Sequence, residues 1–298
     1  MKTMPVISIG MPVYNAENTL AEAVTSIVQQ TFEDWELLII DDGSTDKTLE
    51  IAQGFNDQRI RVVSDNQNKR LAARLNQCVQ LSKGDYFARM DGDDIAFPER
   101  LAEQLEYMKQ HPEVDLVGGS ALVFDSNHHV RGKRVTPEKH SEICRQPWRG
   151  FPMIHPTFMG KLSWFQIHPY DETLLKAQDQ VLLASACQDS VYGNVQHIVL
   201  AYREDIPAIK KLLSSRMYLF SGLFSTYMKQ QKLGWVFRAF LSHSLRLVMD
   251  LVFYVTQLRN FQLRLRSTSL SKDDIAEWNK IKKGISMPSD SEGKQVSG

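Results

Sequence analysis

The apolar positions change period repeatedly along the first third of the chain. Val6 to Pro12 is a short, β-branched apolar run that predicts a first strand, with Tyr14-Asn15 as the loop beyond it. Glu17 to Gln30 carries Leu20, Val24, Ile27 and Val28 at helical spacing. Trp35 to Ile40 predicts a second strand, ending in Asp41-Asp42-Gly43-Ser44-Thr45-Asp46. There Gly43 suits a tight turn, and Ser44 or Thr45 suits the cap of a helix holding Leu49, Ala52 and Phe55. Ile60 to Val63 predicts a third strand. Leu71, Leu75, Cys78 and Val79 mark one face of a third helix, which Gly84 is placed to end. Asp85 to Met90 is a fourth strand, Leu101, Leu105 and Met108 mark a helix stopping near His111-Pro112, and Val114 to Val117 is a fifth strand. Strands alternating with helices argue for βαβ units on a parallel sheet covered on both faces.

From Met217 the pattern changes. Tyr218, Leu219, Phe220, Leu223, Phe224, Tyr227 and Met228 precede a stretch from Leu233 to Leu265 rich in large apolar residues. Lys229, Lys232, Arg238, Arg246, Arg259, Arg264 and Arg266 stand there against one acid, Asp250. Basic, strongly apolar helices suit a membrane surface, where apolar side chains enter the acyl boundary and cations meet anionic headgroups. Packing on the preceding domain, or a homodimer contact, is the alternative. No stretch approaches the ~18 uninterrupted apolar residues of a spanning helix. From Ser267 the chain turns polar, with one short helix expected around Asp273 to Trp278 and disorder after Pro288.

A length of 298 residues fits one to two domains, and 43% hydrophobic with 23% charged residues is ordinary for a globular protein. Zero net charge gives no support for nucleic-acid binding. Cys78, Cys144 and Cys187 are far apart, which argues against a disulfide framework or a structural zinc site and fits a reducing compartment. The N-terminus lacks a signal-peptide pattern, so the expected location is the cytoplasm, with a peripheral position on the cytoplasmic face of the inner membrane if the basic helices bind lipid. Neither GxGxxG nor GxxxxGK[ST] occurs, and the acidic segments lack calcium-loop spacing.

The densest chemistry is Ala88-Arg89-Met90-Asp91-Gly92-Asp93-Asp94, where three carboxylates follow a buried strand almost at once. Their mutual repulsion calls for a divalent cation, and Mg²⁺ usually binds one or two carboxylates plus substrate phosphates; the other reading is a turn with an N-capping Asp. In open parallel sheets ligands bind beyond the carboxyl ends of the strands. Pro12 to Asn15, Asp41-Asp42 and Asp91 to Asp93 all follow strand ends and should share one rim.

These segments, with His155-Pro156-Thr157 and Gln178-Asp179, occur in the order seen in glycosyltransferase family 2, which the chain resembles over roughly residues 5 to 205. The resemblance implies an inverting, metal-dependent enzyme of the GT-A fold: an α/β, Rossmann-like, mostly parallel sheet with helices on both faces, here with a C-terminal helical extension. It implies that Pro12, Tyr14 and Asn15 border the nucleotide and that Asp42 hydrogen-bonds the base. Arg70 would lie near the phosphates. Asp91 and Asp93 would form the DxD around Mg²⁺ or Mn²⁺, with Asp93 the direct ligand, Asp91 toward the ribose or a metal-bound water, and Gly92 between them. Asp179 would be the catalytic base. His155 reads as a satisfied core histidine, or as an acceptor-side residue. The alternative for Asp42 is a turn residue that favours a helix N-terminus.

The expected division is a catalytic domain over 1–215, a basic amphipathic extension over 216–266 and a polar tail over 267–298. The expected reaction is sugar transfer from a nucleotide diphosphate donor (UDP-, GDP- or dTDP-linked) to a saccharide or lipid-linked acceptor, in surface polysaccharide or lipopolysaccharide assembly. A nucleotidyltransferase, or an inactive GT-A protein serving as a membrane-bound assembly partner, is the alternative.

Overall fold

Every residue of β1, Ile7–Val13, is buried, as a central strand with helices on both sides requires. The computed structural model describes residues 4–205, 209–256 and 268–285. β1 pairs in parallel with β2 (Trp35–Asp41) and with β4 (Tyr86–Arg89), and β2 pairs in parallel with β3 (Ile60–Ser64). The register sets Val13 beside Asp41 and Gly10 beside Arg89, so the loops after β1, β2 and β4 leave from one edge. The rest of the nine-stranded sheet is β5 (Ile95–Ala96), β6 (Leu116–Phe124), β7 (Val130–Arg134), β8 (Met159–Lys161) and β9 (Tyr192–Arg203). The strand order is β3-β2-β1-β4-β8-β6-β9-β5, with β7 on β6. β8 runs antiparallel between β4 and β6, and β9 pairs in parallel with β6 over the longest ladder.

Helices α1 (Leu20–Val28), α2 (Thr48–Gln53) and α4 (Arg100–Gln110) cover one face, where the apolar core joins Ile7, Ile9 and Met11 to Leu20, Ile27, Leu101 and Leu105. Helices α3 (Arg70–Leu81), α6 (Leu162–Ile167) and α7 (Gln178–Ala186) cover the other, around Phe87, Leu75, Phe165 and Leu183; α5 (His140–Ile143) is a short turn that adds Ile143 to it. Cys78 is fully buried there, as its place on the apolar stripe of α3 predicts.

Several local expectations change. The carboxylate at the start of α2 is Asp46, which accepts from Thr48 N at 3.0 Å; Ser44 and Thr45 bind Asn15 instead. Gly84 does not end α3, which stops at Leu81. It is glycine because a Cβ there would meet backbone Ser8 N at 2.8 Å and Val6 O at 2.9 Å. The fifth strand runs through Gly118-Gly119 to Phe124. Glycine there marks close approach to β9, since a Cβ on Gly119 would lie 2.5 Å from Val199 Cγ2.

Helix α8 (Ile209–Lys229) starts before the change of pattern at Met217 and forms a hairpin with α9 (Leu233–Val255). Leu223 and Tyr227 join the core under α7, and Gly222 lets α8 lie close on it: a Cβ would sit 2.4 Å from Val181 Cγ2. Tyr227 Oη donates to Pro147 O at 2.8 Å, and Arg216 pairs with Asp250 at 2.8 Å across the hairpin. The outer side stays apolar and exposed, through Phe237, Leu241, Leu245, Val248 and Val252. Among the described residues no helix is long and apolar enough to cross a membrane. The short helix expected after Ser267 is α10, Lys272–Ile285, which buries Trp278, Ile281 and Ile285 against Phe97, Leu122 and Phe124. The disorder expected after Pro288, and the stretch 257–267, lie outside the described residues.

Candidate active site

The loops after β1 and β2 are laced together. Asn15 N donates to Ser44 Oγ at 3.0 Å, Thr45 N donates to Asn15 Oδ1 at 2.8 Å, and Ala16 N donates to Thr48 Oγ1 at 2.7 Å. This lacing holds Asn15 at φ 49°, a left-handed conformation that Asn tolerates better than most residues. Beside it opens a crevice of about 990 Å³, bordered by Pro12, Tyr14, Asn15, Asp91, Gly92 and Asp93 from the expected set.

Carboxylate oxygens of Asp91, Asp93 and Asp94 lie within 4.8 Å of one another. Asp94 is buried; one oxygen accepts from Arg203 N at 2.8 Å and the other has no partner. Burial, then the charges of Asp91 and Asp93, push Asp94 well above the usual carboxylate range. Asp93 keeps solvent contact, yet enclosure in the crevice and then Asp91 push it up to about 6. Close oxygens, one of them buried and unpartnered, are the donor set of a hard divalent cation, and these residues fit one.

Three arginines surround the carboxylates. Arg89 is buried and donates from Nη2 to Asp91, while its Nε and Nη1 are buried without a partner. Arg203 donates from Nε to Asp93 O at 2.7 Å and from Nη2 to Glu22 at 2.8 Å. Arg100 donates to Arg89 O at 2.6 Å, and burial lowers its pKa to about 10. Arg89 was visible in the sequence as one charge closing an apolar strand. Arg203 and Tyr202 had no signal of their own, because the strand that carries them was not evident.

Asp42 and Arg70 adjoin the crevice without lining it: Asp42 N donates to Val13 O at 2.8 Å, and Val13 and Leu71 are lining residues. Asp42 is buried and receives Lys69 N at 2.7 Å, Arg70 N at 3.0 Å and Arg74 Nε at 2.8 Å. It therefore serves the N-terminus of α3 and the buried cation Arg74. Arg70 is exposed at φ 71° in the first turn of that helix.

Asp179 lies in the first turn of α7, after Ala177 at φ 62°, a conformation strained for alanine. It lines a second cavity of about 470 Å³ with Arg134, Thr136, Met153, His155 and Tyr202. Tyr202 borders both cavities. Gln180 Nε2 donates to Asp179 Oδ2 at 3.0 Å, while burial raises the pKa of Asp179. His155 Nε2 meets Tyr170 Oη at 2.9 Å, and burial followed by the charge of Arg89 holds His155 well below its usual range. Both readings of His155 thus have a physical basis: it is hydrogen-bonded and it faces the Asp179 cavity.

The same architecture occurs in nucleotide-sugar enzymes. S. aureus TarS in complex with UDP-GlcNAc aligns over 94% of this chain and 80% of its own, with TM-score 0.64 and 17% identity. The mannosyltransferase PcManGT from Pyrobaculum calidifontis, in complex with GDP-Man and Mn²⁺, aligns over 95% of this chain and 86% of its own, with TM-score 0.58 and 14% identity. The fold is therefore GT-A, with C-terminal helices added.

Sequence carries the assignment further. EpsE of Bacillus subtilis, a protein named as a putative glycosyltransferase, is 36% identical over 71% of this chain and 77% of its own length. A UDP-Glc:α-D-GlcNAc-diphosphoundecaprenol β-1,3-glucosyltransferase, WfgD of Escherichia coli, is 33% identical over 45% of this chain and 52% of its own. The profile of glycosyl transferase family 2 matches residues 8–168, and the chain belongs to that family. It is a glycosyltransferase, and the nucleotidyltransferase alternative falls away.

Proposed function

We propose that the protein transfers a sugar from a nucleotide diphosphate donor to a saccharide or lipid-linked acceptor with inversion, in surface polysaccharide or lipopolysaccharide assembly. The observation that carries this reading is the pair of cavities meeting at Tyr202, one holding the carboxylate cluster and the other Asp179. Asp91 and Asp93, with Asp94 behind them, would hold Mg²⁺ or Mn²⁺, which when bound neutralises charge on the diphosphate. Pro12, Tyr14 and Asn15 border the nucleotide. Arg70 lies toward the phosphates and Asp42 toward the base, with Asp42 also fixing the start of α3. The acceptor enters the second cavity, past His155.

Asp179 takes the proton of the acceptor hydroxyl as its oxygen attacks the anomeric carbon. The bond to the diphosphate oxygen breaks, and its electron pair leaves with the nucleotide. Burial favours the base because it raises the affinity of Asp179 for that proton, and one positioned base is worth on the order of 10²–10⁴ in rate. Relatives and neighbours support the donor class: TarS binds UDP-GlcNAc, PcManGT binds GDP-Man with Mn²⁺, and WfgD is named for a lipid-linked acceptor.

The α8–α9 hairpin is the membrane-facing part. Its outer face is apolar, and exposed Lys210, Lys229 and Arg238 on the same helices complement anionic lipid. On this reading the enzyme works peripherally at the cytoplasmic face of a membrane, with no spanning helix among the described residues.

Two measurements test the reading together. A thermal-shift panel of UDP, GDP and dTDP should show stabilisation by one nucleotide that depends on Mn²⁺. Asp179→Asn should lower turnover at least 10²-fold while leaving that stabilisation intact. Wild-type turnover in the variant would end the base assignment.

A further inference from the structure

A third cavity, of about 530 Å³, lies against the hairpin and is lined by Arg145, Arg149 and Arg246, with Glu142, Pro152 and Gln180. Nothing in the donor site or the proton transfer uses it. Glu142 is its single acidic residue among the described residues, so the lining is strongly cationic. Arg246, on α9, donates from Nη1 to Arg149 O at 3.1 Å, and Arg149 Nη1 donates to Gln146 Oε1 at 2.9 Å. Both Arg145 and Arg149 are exposed.

One side chain, Gln180, links the lining of this cavity to the base. Gln180 Nε2 donates to Asp179 Oδ2 at 3.0 Å, and Gln180 Oε1 accepts from Phe151 N at 2.7 Å. Gly150, at φ 98°, makes room for it, because a Cβ would lie 2.7 Å from Gln180 Oε1. Pro152 borders both cavities. On the other side, Leu245 and Met249 flank Arg246 along α9 and are exposed.

We propose that this cavity binds the phosphate or diphosphate head of a lipid-linked acceptor, read by Arg145 and Arg149. The inference rests on the glycosyltransferase reading above. Guanidinium groups bind phosphate oxygens through paired, charge-assisted hydrogen bonds, and a cluster of them selects a dianion over a neutral sugar. The order across the surface is then Asp179 at the acceptor hydroxyl, the arginines at its phosphate, and the apolar hairpin face at its lipid.

The test uses the full chain in EDTA, so that no metal holds a diphosphate at the aspartate cluster, and farnesyl diphosphate as the probe. Wild type should bind it more tightly than farnesol or inorganic pyrophosphate. The double variant Arg145→Gln, Arg149→Gln should bind it about tenfold or more weakly, the size expected for losing hydrogen bonds to a charged group. Glu142→Gln, which removes the opposing charge, should tighten it several-fold. Sedimentation with phosphatidylglycerol vesicles should be unchanged in the double variant.

Equal affinity in wild type and the double variant would overturn the proposal. So would pyrophosphate binding as tight as farnesyl diphosphate, which means a free-anion site. A loss of vesicle binding in step with farnesyl diphosphate would do the same, by reducing the arginines to surface charge. The Mn²⁺-dependent nucleotide shift, measured on the same protein preparations with EDTA removed, separates the two levels. Its absence in wild type strikes the donor reading, whereas its presence beside an indifferent lipid titration strikes the acceptor cavity alone.

Discussion

Asp91, Asp93 and Asp94 bring three carboxyl groups within 4.8 Å of one another, and the nearest counter-charge is arginine. Arg89 is buried among them, with Nη2 on Asp91 and two donors without partners. Removing one partner of a buried charge pair typically costs 3–5 kcal/mol, because the other charge is left uncompensated. Arg89→Met should therefore lower stability in EDTA by about 3–5 kcal/mol in urea unfolding. Mn²⁺ should restore more stability to the variant than it adds to wild type. The same physics applies to Arg74, fully buried on Asp42: Arg74→Met should cost about as much, with no rescue by Mn²⁺. The carboxylates were legible in the sequence because they arrive together after a strand. Their counter-charge was less so, since Arg203 approaches Asp93 from far along the chain.

At the scale of elements, legibility followed burial. β1, β2 and β4 have helices on both sides, so their sequences are continuous apolar runs between polar loops. β9 is broken by the exposed pair Gln196-His197 and starts with Tyr192-Gly193-Asn194, so its twelve residues carry no comparable signal. The second half of β6 was hidden by Gly118-Gly119, a pair that reads as a break and works as a close crossing. Glycine is equally decisive where α8 meets α7. Gly222→Val would drive a side chain into Val181, two residues beyond Asp179 on the same helix. The expected cost is about 1–3 kcal/mol in chemical denaturation, the usual range for overpacking. Trp278 makes the matching point for α10: Trp278→Ala should lose about 3–5 kcal/mol in the same assay, by opening the contact with Phe124.

Taken as one body, the molecule has two unlike sides: the strand-end crevice with its aspartates, and the hairpin with its exposed apolar face. Leu241 and Leu245 are more than half exposed. The double change Leu241→Glu, Leu245→Glu should abolish co-sedimentation with anionic vesicles and leave the Mn²⁺-dependent nucleotide shift unchanged. The composition of this region announced apolar, basic helices; the docking of Tyr227 on Pro147 and of Gly222 on Val181, which decides which side faces out, depends on partners no local pattern contains.

The position of β9 between β6 and β5 has a consequence for how the chain is made. A nascent polypeptide that has reached α7 already carries every carboxylate assigned to chemistry, yet it lacks Tyr202 and Arg203, and the sheet stands open where β9 belongs. Such late, long-range pairing slows maturation and leaves unpaired strand edges exposed in the meantime. Competence therefore arrives in one step, when β9 slots in, and stalled or clipped chains ending before it should be inert and prone to clump.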